Sequence, residues 1–332
     1  MRVLAQKVSE DLSHPQDRRR FGSLIDVEFF GKVLPNISKK DKIILNIHSD
    51  LSAFEKIRNE CDLVVFDYCD MIHTRNPFVF YITTTLWYIK GKLKAPMSRK
   101  KFEKIIEEVD TLVVGSQAQK NLCERIRSKE INVIEDYFEE INTDTIVTNC
   151  KKSRGIVWEG LAGGNFIILL KCFKIAKLSG LNLIVVTDLK YPLFSGILKI
   201  RTERLLRLIS LLTGNKNFDL IKWTKNNLKL AAQEGEYILI PLRESNSLEY
   251  YKPANKAVLS LMMGLKPVMF RTPDYEFLSN MISANGSLCF TSTAEALNLL
   301  EHYPRLNEKK IDEYMKIRNK KTLALKWKAI LS

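Results

Sequence analysis

The feature that most constrains this chain is a pattern that runs twice. A short, unbroken apolar run rich in β-branched residues is followed by a longer stretch with helical spacing. In the first half the runs are Met1 to Gln6, 42–47, 62–66, 111–115 and 131–134. Strands that alternate apolar and polar residues bury one face, so unbroken runs predict strands covered on both, as in parallel sheets flanked by helices. Between them, 49–60 and 98–109 read as helices, with Ser98 as the cap of the second. Another helix follows Gly115-Ser116. After a polar stretch at 148–154, read as a linker, the pattern restarts. Strands are expected at 155–158, 181–186, 237–241 and 266–270, and helices at 166–179, 222–233 and 255–264. One helix or two close the chain over 308–331.

This alternation predicts an α/β protein with two Rossmann-like, doubly wound domains facing each other across a cleft at the carboxyl ends of their strands. Residues 1–150 form the first domain and 151–310 the second. Residues 311–332 form a C-terminal helix placed to return to the first domain.

Charge narrows the partners. The chain carries 52 Lys and Arg against 38 Asp and Glu, a net charge of +14. Residues 1–150 hold 23 of each sign, so the whole excess lies beyond them, and 151–234 carry 15 basic and 5 acidic residues. That asymmetry predicts an anionic partner: nucleic acid, a phosphorylated small molecule or an acidic membrane surface. No RNP sequence or Cys/His finger accompanies the charge, so nucleic acid is not expected.

No window reaches the ~18 apolar residues of a membrane span. The apolar start is shorter than the about 7–15 residues of a secretory leader. Six scattered cysteines without a C-x-x-C pair read as buried, reduced thiols. The expectation is a cytoplasmic protein, with peripheral attachment at the inner face of a membrane left open. Two stretches bear on that attachment. Residues 86–101 mix Trp87 and Tyr88 with six cations, a composition suited to an anionic bilayer. Residues 198–212 are basic and amphipathic, and equally consistent with a helix packed by its leucines.

Two segments carry candidate binding chemistry. Glu159-Gly-Leu-Ala-Gly-Gly-Asn165 follows a strand and opens a helix. Gly160, Gly163 and Gly164 let the backbone approach a phosphate, and the helix start at Asn165 offers free N–H groups. Asp188 ends the next strand, later than the ~20-residue offset of a dinucleotide-binding acid. A glycine-rich turn needed only for packing is the plain alternative. In the second segment a strand ending in Pro241 leads into a polar loop with Arg243, Glu249, Tyr251, Lys252, Asn255 and Lys256. A helix starts near Ala254, so free amides and cations meet, an arrangement suited to a diphosphate, with Glu249 able to accept from a hydroxyl pair. An ordinary solvated loop is the alternative here.

The second segment resembles the donor-binding signature of GT-B glycosyltransferases, particularly the retaining glycosyltransferase family four type. The resemblance rests on Pro241-Leu242, Pro253-Ala-Asn-Lys256 and Gly264-Leu-Lys-Pro-Val268. It is extended by Phe270-Arg-Thr-Pro-Asp274, Ile156-Val-Trp-Glu-Gly160, Val113-Val-Gly-Ser-Gln117 and Ile131-Asn-Val-Ile-Glu-Asp136. It implies a nucleotide-diphosphate sugar as donor and a glycan or lipid-linked acceptor, with no cofactor and no metal. Lys252 or Lys256, with Arg243, would neutralise the diphosphate as it leaves. One position departs: Leu259 stands where the family's second glutamate is expected. Either Glu249 takes over the ribose contact, or donor binding differs, or the chain is a catalytically inactive GT-B-like binding or scaffold protein.

In the first domain, the loop after the first strand holds His14 and Asp17, either able to orient or deprotonate an acceptor hydroxyl, and Arg18, Arg19 and Arg20, able to hold a phosphate. A capped helix start with a solvated basic turn is the alternative. His48 and His73 read as structural histidines. Asp67-Tyr-Cys-Asp70 lacks the Asp-x-Asp spacing of metal-dependent glycosyltransferases, and Asp67 reads as a cap on a loop or helix.

Overall fold

The computed structural model describes residues 2–8, 12, 17–22, 24–31, 33–89, 96–138, 155–160, 166–193, 198–242 and 247–332. The chain divides into two units. Unit 1 comprises Met1–Glu139, Ser247–Pro253 and Asp312–Ser332; unit 2 comprises Glu140–Asn246 and Ala254–Ile311.

Unit 1 is built on β1 (Val3–Gln6), β2 (Glu28–Phe30), β3 (Lys42–Asn46), β4 (Leu63–Asp67), β5 (Thr111–Val114) and β6 (Ile131–Val133). They lie in the order β2-β1-β3-β4-β5-β6, and every pairing is parallel. Successive residues of these strands go to opposite faces. Ile43, Leu45, Val64, Phe66, Leu112 and Val114 enter one core cluster, while Ile44, Val65 and Val113 enter another. Two covered faces are the reason the strands read as unbroken apolar runs.

The helices of this unit are α1 (Phe54–Glu60), α2 (Pro77–Ile89), α3 (Arg99–Glu108) and α4 (Gln117–Cys123). Ser98 caps α3, its Oγ accepting from the Lys101 N–H at 3.2 Å, and Ser116 caps α4 through the Gln119 N–H at 3.3 Å. The helix expected over 49–60 is a 3-10 turn, Leu51–Ala53, followed by α1. Helix α2 was not expected from the sequence. It carries no charged residue, so no contrast between faces marks its period.

Unit 2 opens with β7 (Gly155–Glu159), α5 (Phe166–Ser179) and β8 (Asn182–Thr187). Gly180, at φ 69°, closes α5 in the left-handed conformation that a side chain disfavours. Then come an antiparallel pair, β9 (Lys190–Leu193) and β10 (Leu198–Arg201), followed by α6 (Thr202–Thr213), β11 (Phe218–Lys222), α7 (Lys225–Glu234) and β12 (Tyr237–Ile240). The stretch 198–212 is therefore a strand and a helix; α6 buries Leu205, Leu206 and Ile209. Short α8 (Ser247–Tyr250) belongs to unit 1. The chain returns to unit 2 with α9 (Asn255–Met262), β13 (Lys266–Phe270), α10 (Pro273–Ile282), β14 (Cys289–Phe290) and α11 (Thr293–Glu301), and ends in α12 (Glu308–Ile317) and α13 (Lys320–Leu331).

The unit 2 sheet runs β11-β8-β7-β12-β13-β14, all parallel. The chain winds outward from β7 to β8 and β11, then crosses back to lay β12 on the other side of β7. Neighbouring connections thus leave in opposite directions between β7 and β12, the switch point where open α/β sheets bind ligands. Strand β11 escaped the sequence reading because it is a half-exposed edge strand without a continuous apolar run.

Helix α13 completes unit 1. Leu323, Trp327 and Leu331 pack with Ala5, Phe21 and Ile44; the Trp327 ring meets Phe21 edge-on at 5.8 Å. The Lys42 ammonium donates to the Leu331 carbonyl.

Candidate functional site

At the unit 2 switch point, β7 ends at Glu159 and β12 is followed by buried Pro241 and by Leu242, which packs on the core. Helix α9 begins beyond the polar loop. Its N-cap is Ala254, which has no side-chain oxygen to give. By contrast, α7, α10 and α11 are capped by Thr224, Thr272 and Ser292. A helix start without a side-chain cap keeps the positive end of its dipole uncompensated by a capping oxygen.

The first turn of α9 carries Lys256. Its ammonium donates to the Glu159 carbonyl oxygen at 2.8 Å and lies 3.5 Å from Glu159 Oε2. The other carboxylate oxygen, Oε1, accepts the indole N–H of Trp223 at 2.9 Å. Trp223 directly follows β11, and its backbone N–H is tied to the Thr187 carbonyl at the end of β8. Glu159 is therefore held from two sides and presents Lys256, whose side chain is 46% exposed. Gly160 fits beneath: a Cβ there would lie 3.2 Å from the Lys256 nitrogen and 3.1 Å from the Trp158 ring. The Thr187 hydroxyl, fully buried nearby in sequence, has no hydrogen-bond partner among the described residues. Groups from β7, β8, β11 and α9 thus meet at one end of the sheet, with an exposed cation on the first turn of a helix that lacks a side-chain cap.

Of the residues expected from the sequence, Gly160, Asn255 and Lys256 lie at this switch point. His14, Gly163, Gly164, Asn165 and Arg243 fall outside the described residues. Asp188 is exposed in the turn before β9, and its carbonyl takes the Thr202 hydroxyl.

The expected single loop divides between the units: Glu249, Tyr251 and Lys252 belong to unit 1. Tyr251 packs on the unit 1 core, and its carbonyl accepts from the Gln119 amide at 3.0 Å. The buried Gln119 side chain also donates to the Cys69 carbonyl and accepts the Gly115 N–H at 2.8 Å. Lys252 lies 3.9 Å from Asp70, and a Cβ on Gly115 would meet Pro253 at 2.9 Å. Sequence reading assigned no role to Glu159, Trp223 or Gln119. Glu159 was visible as the acidic residue opening the glycine-rich turn. Trp223 was hidden by the missed edge strand.

Two further expectations for unit 1 are corrected. Arg20 does not face a phosphate, and Asp67 does not cap a loop. Both are buried, and they pair: Arg20 Nη2 lies 2.6 Å from Asp67 Oδ1, and Nε reaches both carboxylate oxygens. Arg20 Nη1 also donates to Asp136 at 3.3 Å and to the Ile134 carbonyl. Burial opposes the Arg20 charge, but Asp67, Cys69 and Asp136 outweigh it and raise its pKa well above the ordinary value. Asp17 is buried too, its carboxylate accepting the Val8 N–H at 2.9 Å. Arg19 lies over the Phe138 ring at 5.0 Å.

His73 is buried with Nδ1 2.6 Å from the Tyr68 hydroxyl, which also accepts the His73 backbone N–H at 3.1 Å. The phenol proton therefore goes to Nδ1 of a neutral ring. Burial, then the charge of Arg99, depresses the His73 pKa to about 4. Among the described residues no group of three His, Cys, Asp or Glu side chains is arranged to hold a metal ion.

No protein-family profile and no curated protein matches the chain. Solved structures do match. A TarM point mutant from S. aureus, in complex with fondaparinux, α-GlcNAc-glycerol and UDP, aligns over 88% of this chain at 12% identity and a TM-score of 0.52. OtsA in its apo state aligns over 89% at 10% identity and a TM-score of 0.55. A mutant O-GlcNAc transferase from Thermobaculum terrenum aligns over 99% at 11% identity and a TM-score of 0.51. The fold is GT-B. This chain spans 55% of the TarM chain, 73% of OtsA and 66% of the transferase. Within the GT-B fold, the Lys256 site belongs to the second Rossmann-like unit.

Proposed function

We propose that this GT-B protein transfers a sugar from a nucleotide-diphosphate donor to a hydroxyl of a glycan or lipid-linked acceptor, with retention and without a metal. The observation that carries the reading is Lys256: an exposed ammonium on the first turn of an uncapped helix, at the switch point of the unit 2 sheet. A leaving diphosphate gains charge as the sugar departs, and a preset cation at the positive end of a helix dipole stabilises that charge more than it stabilises the intact donor. Glu159 is the positioning residue that holds the lysine there. The UDP bound by TarM supports the donor class. On the acceptor side, the reading assigns deprotonation to His14.

A second reading is favoured by Leu259, half-buried on α9 with no carboxylate to offer: donor binding without turnover. Calorimetry and turnover assays with UDP-, GDP- and ADP-linked sugars decide the matter. Transfer or donor hydrolysis supports the enzyme, and binding alone selects the second reading. A panel with neither turnover nor binding overturns both.

A further inference from the structure

The Lys256 site leaves the positive charge of residues 151–234 unexplained. That stretch holds 15 basic and 5 acidic residues, and Lys256 lies beyond it. Its acids are largely engaged: Glu159 by Lys256 and Trp223, Glu203 by Arg207 at 2.7 Å, and Asp219 by the Asn182 amide at 2.7 Å.

Part of the remaining charge is gathered at one place. Strands β9 and β10 form a ribbon of two strands, in which Lys190 and Arg201 stand directly opposite each other. Both are exposed, and neither makes an ion pair among the described residues. Like charges facing each other destabilise a strand pair, and a ribbon of only two strands is marginally stable by itself. An anion seated on the pair turns that repulsion into attraction.

Three more cations stand at the foot of the ribbon, which springs from the carboxyl end of β8. The Thr202 N–H donates to the Leu189 carbonyl at 2.9 Å, and the Trp223 N–H to the Thr187 carbonyl, also at 2.9 Å. Lys222 is the register partner of Thr187 on β11. Lys225 opens α7, whose start is tied to the Lys222 carbonyl by the Asn227 amide at 2.9 Å. Arg204 lies on the first turn of α6, just after Arg201. All three are exposed and without an ion pair among the described residues, and Asp188, exposed at the same foot, pairs with none of them. At the amino end of the same sheet, by contrast, Lys266 is matched by Glu236 at 2.7 Å.

Cations spread over a ribbon, an edge strand and two helix starts exceed what one diphosphate can meet. A chain with an anionic group on each repeat meets several of them at once. Trp223, exposed and bonded to Glu159, joins this face to the Lys256 site.

We propose that this face of unit 2 holds the acceptor as an anionic glycan, a polysaccharide carrying carboxylate or phosphate groups along its chain. The assignment to a glycan rests on the transfer reading of the neighbouring site.

Fluorescence anisotropy on the full chain tests it, with labelled polygalacturonate, dextran phosphate, unmodified dextran and an oligothymidylate of matched charge as probes. At least one of the two anionic glycans is expected to bind roughly tenfold or more tightly than dextran, and less tightly as salt rises. Lys190→Gln with Arg201→Gln should weaken that binding about tenfold while leaving UDP affinity unchanged. Lys190→Gln alone should leave Tm level or raise it, because it relieves the like-charge pair. Lys309→Gln with Lys310→Gln, exposed on α12, makes the same change in net charge and should have little effect. Equal weakening by that control, or no preference over dextran, overturns the proposal. So does an oligothymidylate that binds more tightly than both anionic glycans, which would assign the face to nucleic acid. UDP binding without glycan binding faults this inference alone; glycan binding through Lys190 and Arg201 without UDP binding faults the transfer reading and with it the acceptor role.

Discussion

The Lys256 ammonium donates to the carbonyl oxygen of Glu159 at 2.8 Å, across 97 residues of sequence. The bond joins the first turn of α9 to the last residue of β7, and it sets a cation where the sheet reverses its winding. The same glutamate takes the Trp223 indole, so a single carboxylate organises both neighbours.

Two substitutions at this pair should act in opposite directions. Lys256→Ala removes a charge-assisted donor and should weaken UDP about tenfold or more. Glu159→Gln keeps an oxygen for the Trp223 N–H but removes a negative charge beside the phosphate site proposed above, and should tighten UDP. Isothermal titration calorimetry reads both. Weakening by both variants would mean the glutamate itself contacts the ligand.

Arg20→Met should cost about 3–5 kcal/mol, because Asp67 is fully buried and loses its partner. The double variant Arg20→Met with Asp67→Leu should recover much of that loss by removing the stranded charge. Urea unfolding of the full chain measures each, and equal loss in the single and double variants would show that packing around Arg20 matters more than the pair.

The doubly wound pattern was legible because strands covered on both faces leave unbroken apolar runs, and because Ser98, Ser116 and Gly180 mark helix ends with groups that serve only there. The elements that escaped are those whose residues carry no such contrast. Helix α2 is apolar on its buried and exposed sides alike, and β11 is a sheet edge with mixed composition. At the candidate site, the placement of Gly160 at a strand end and of Lys256 at a helix start was legible from the strand-turn-helix pattern. Trp223 was not, since it reaches Glu159 only through the order β11-β8-β7, a tertiary fact. Nor could a run of polar residues after Pro241 disclose that Tyr251 would leave for the unit 1 core while Lys256 stayed behind.

Acid should destabilise unit 1 through His73. Its folded pKa of about 4 lies below the ordinary 6.5, so between those values the unfolded chain binds more protons and stability rises with pH. Stability is level above about pH 6.5 and falls as pH drops toward 4, by up to about 3 kcal/mol. His73→Gln should flatten that window in urea titrations at fixed pH values; an undiminished slope would place the titration elsewhere.

Gly235→Ala should destabilise unit 2 by roughly 1–3 kcal/mol. Gly235 has an ordinary φ of −90°, so the reason is space: a Cβ would sit 2.4 Å from Val157 Cγ2 and 3.2 Å from the Ala231 carbonyl. Adding Val157→Ala should recover part of the loss, and a thermal melt of the two variants makes the comparison.

Helix α13 carries a consequence for biosynthesis. Trp327 sits in the same cluster as Ala5 and Phe21, yet the ribosome makes it after every strand of unit 2. While the chain is nascent, unit 2 can close its own core, but one face of the unit 1 sheet, covered in part by Phe21, Leu24 and Ile134, lacks Leu323, Trp327 and Leu331 until α13 emerges. The half of the protein translated first is therefore the half finished last, and in that interval its open apolar face is the surface a holding chaperone would meet.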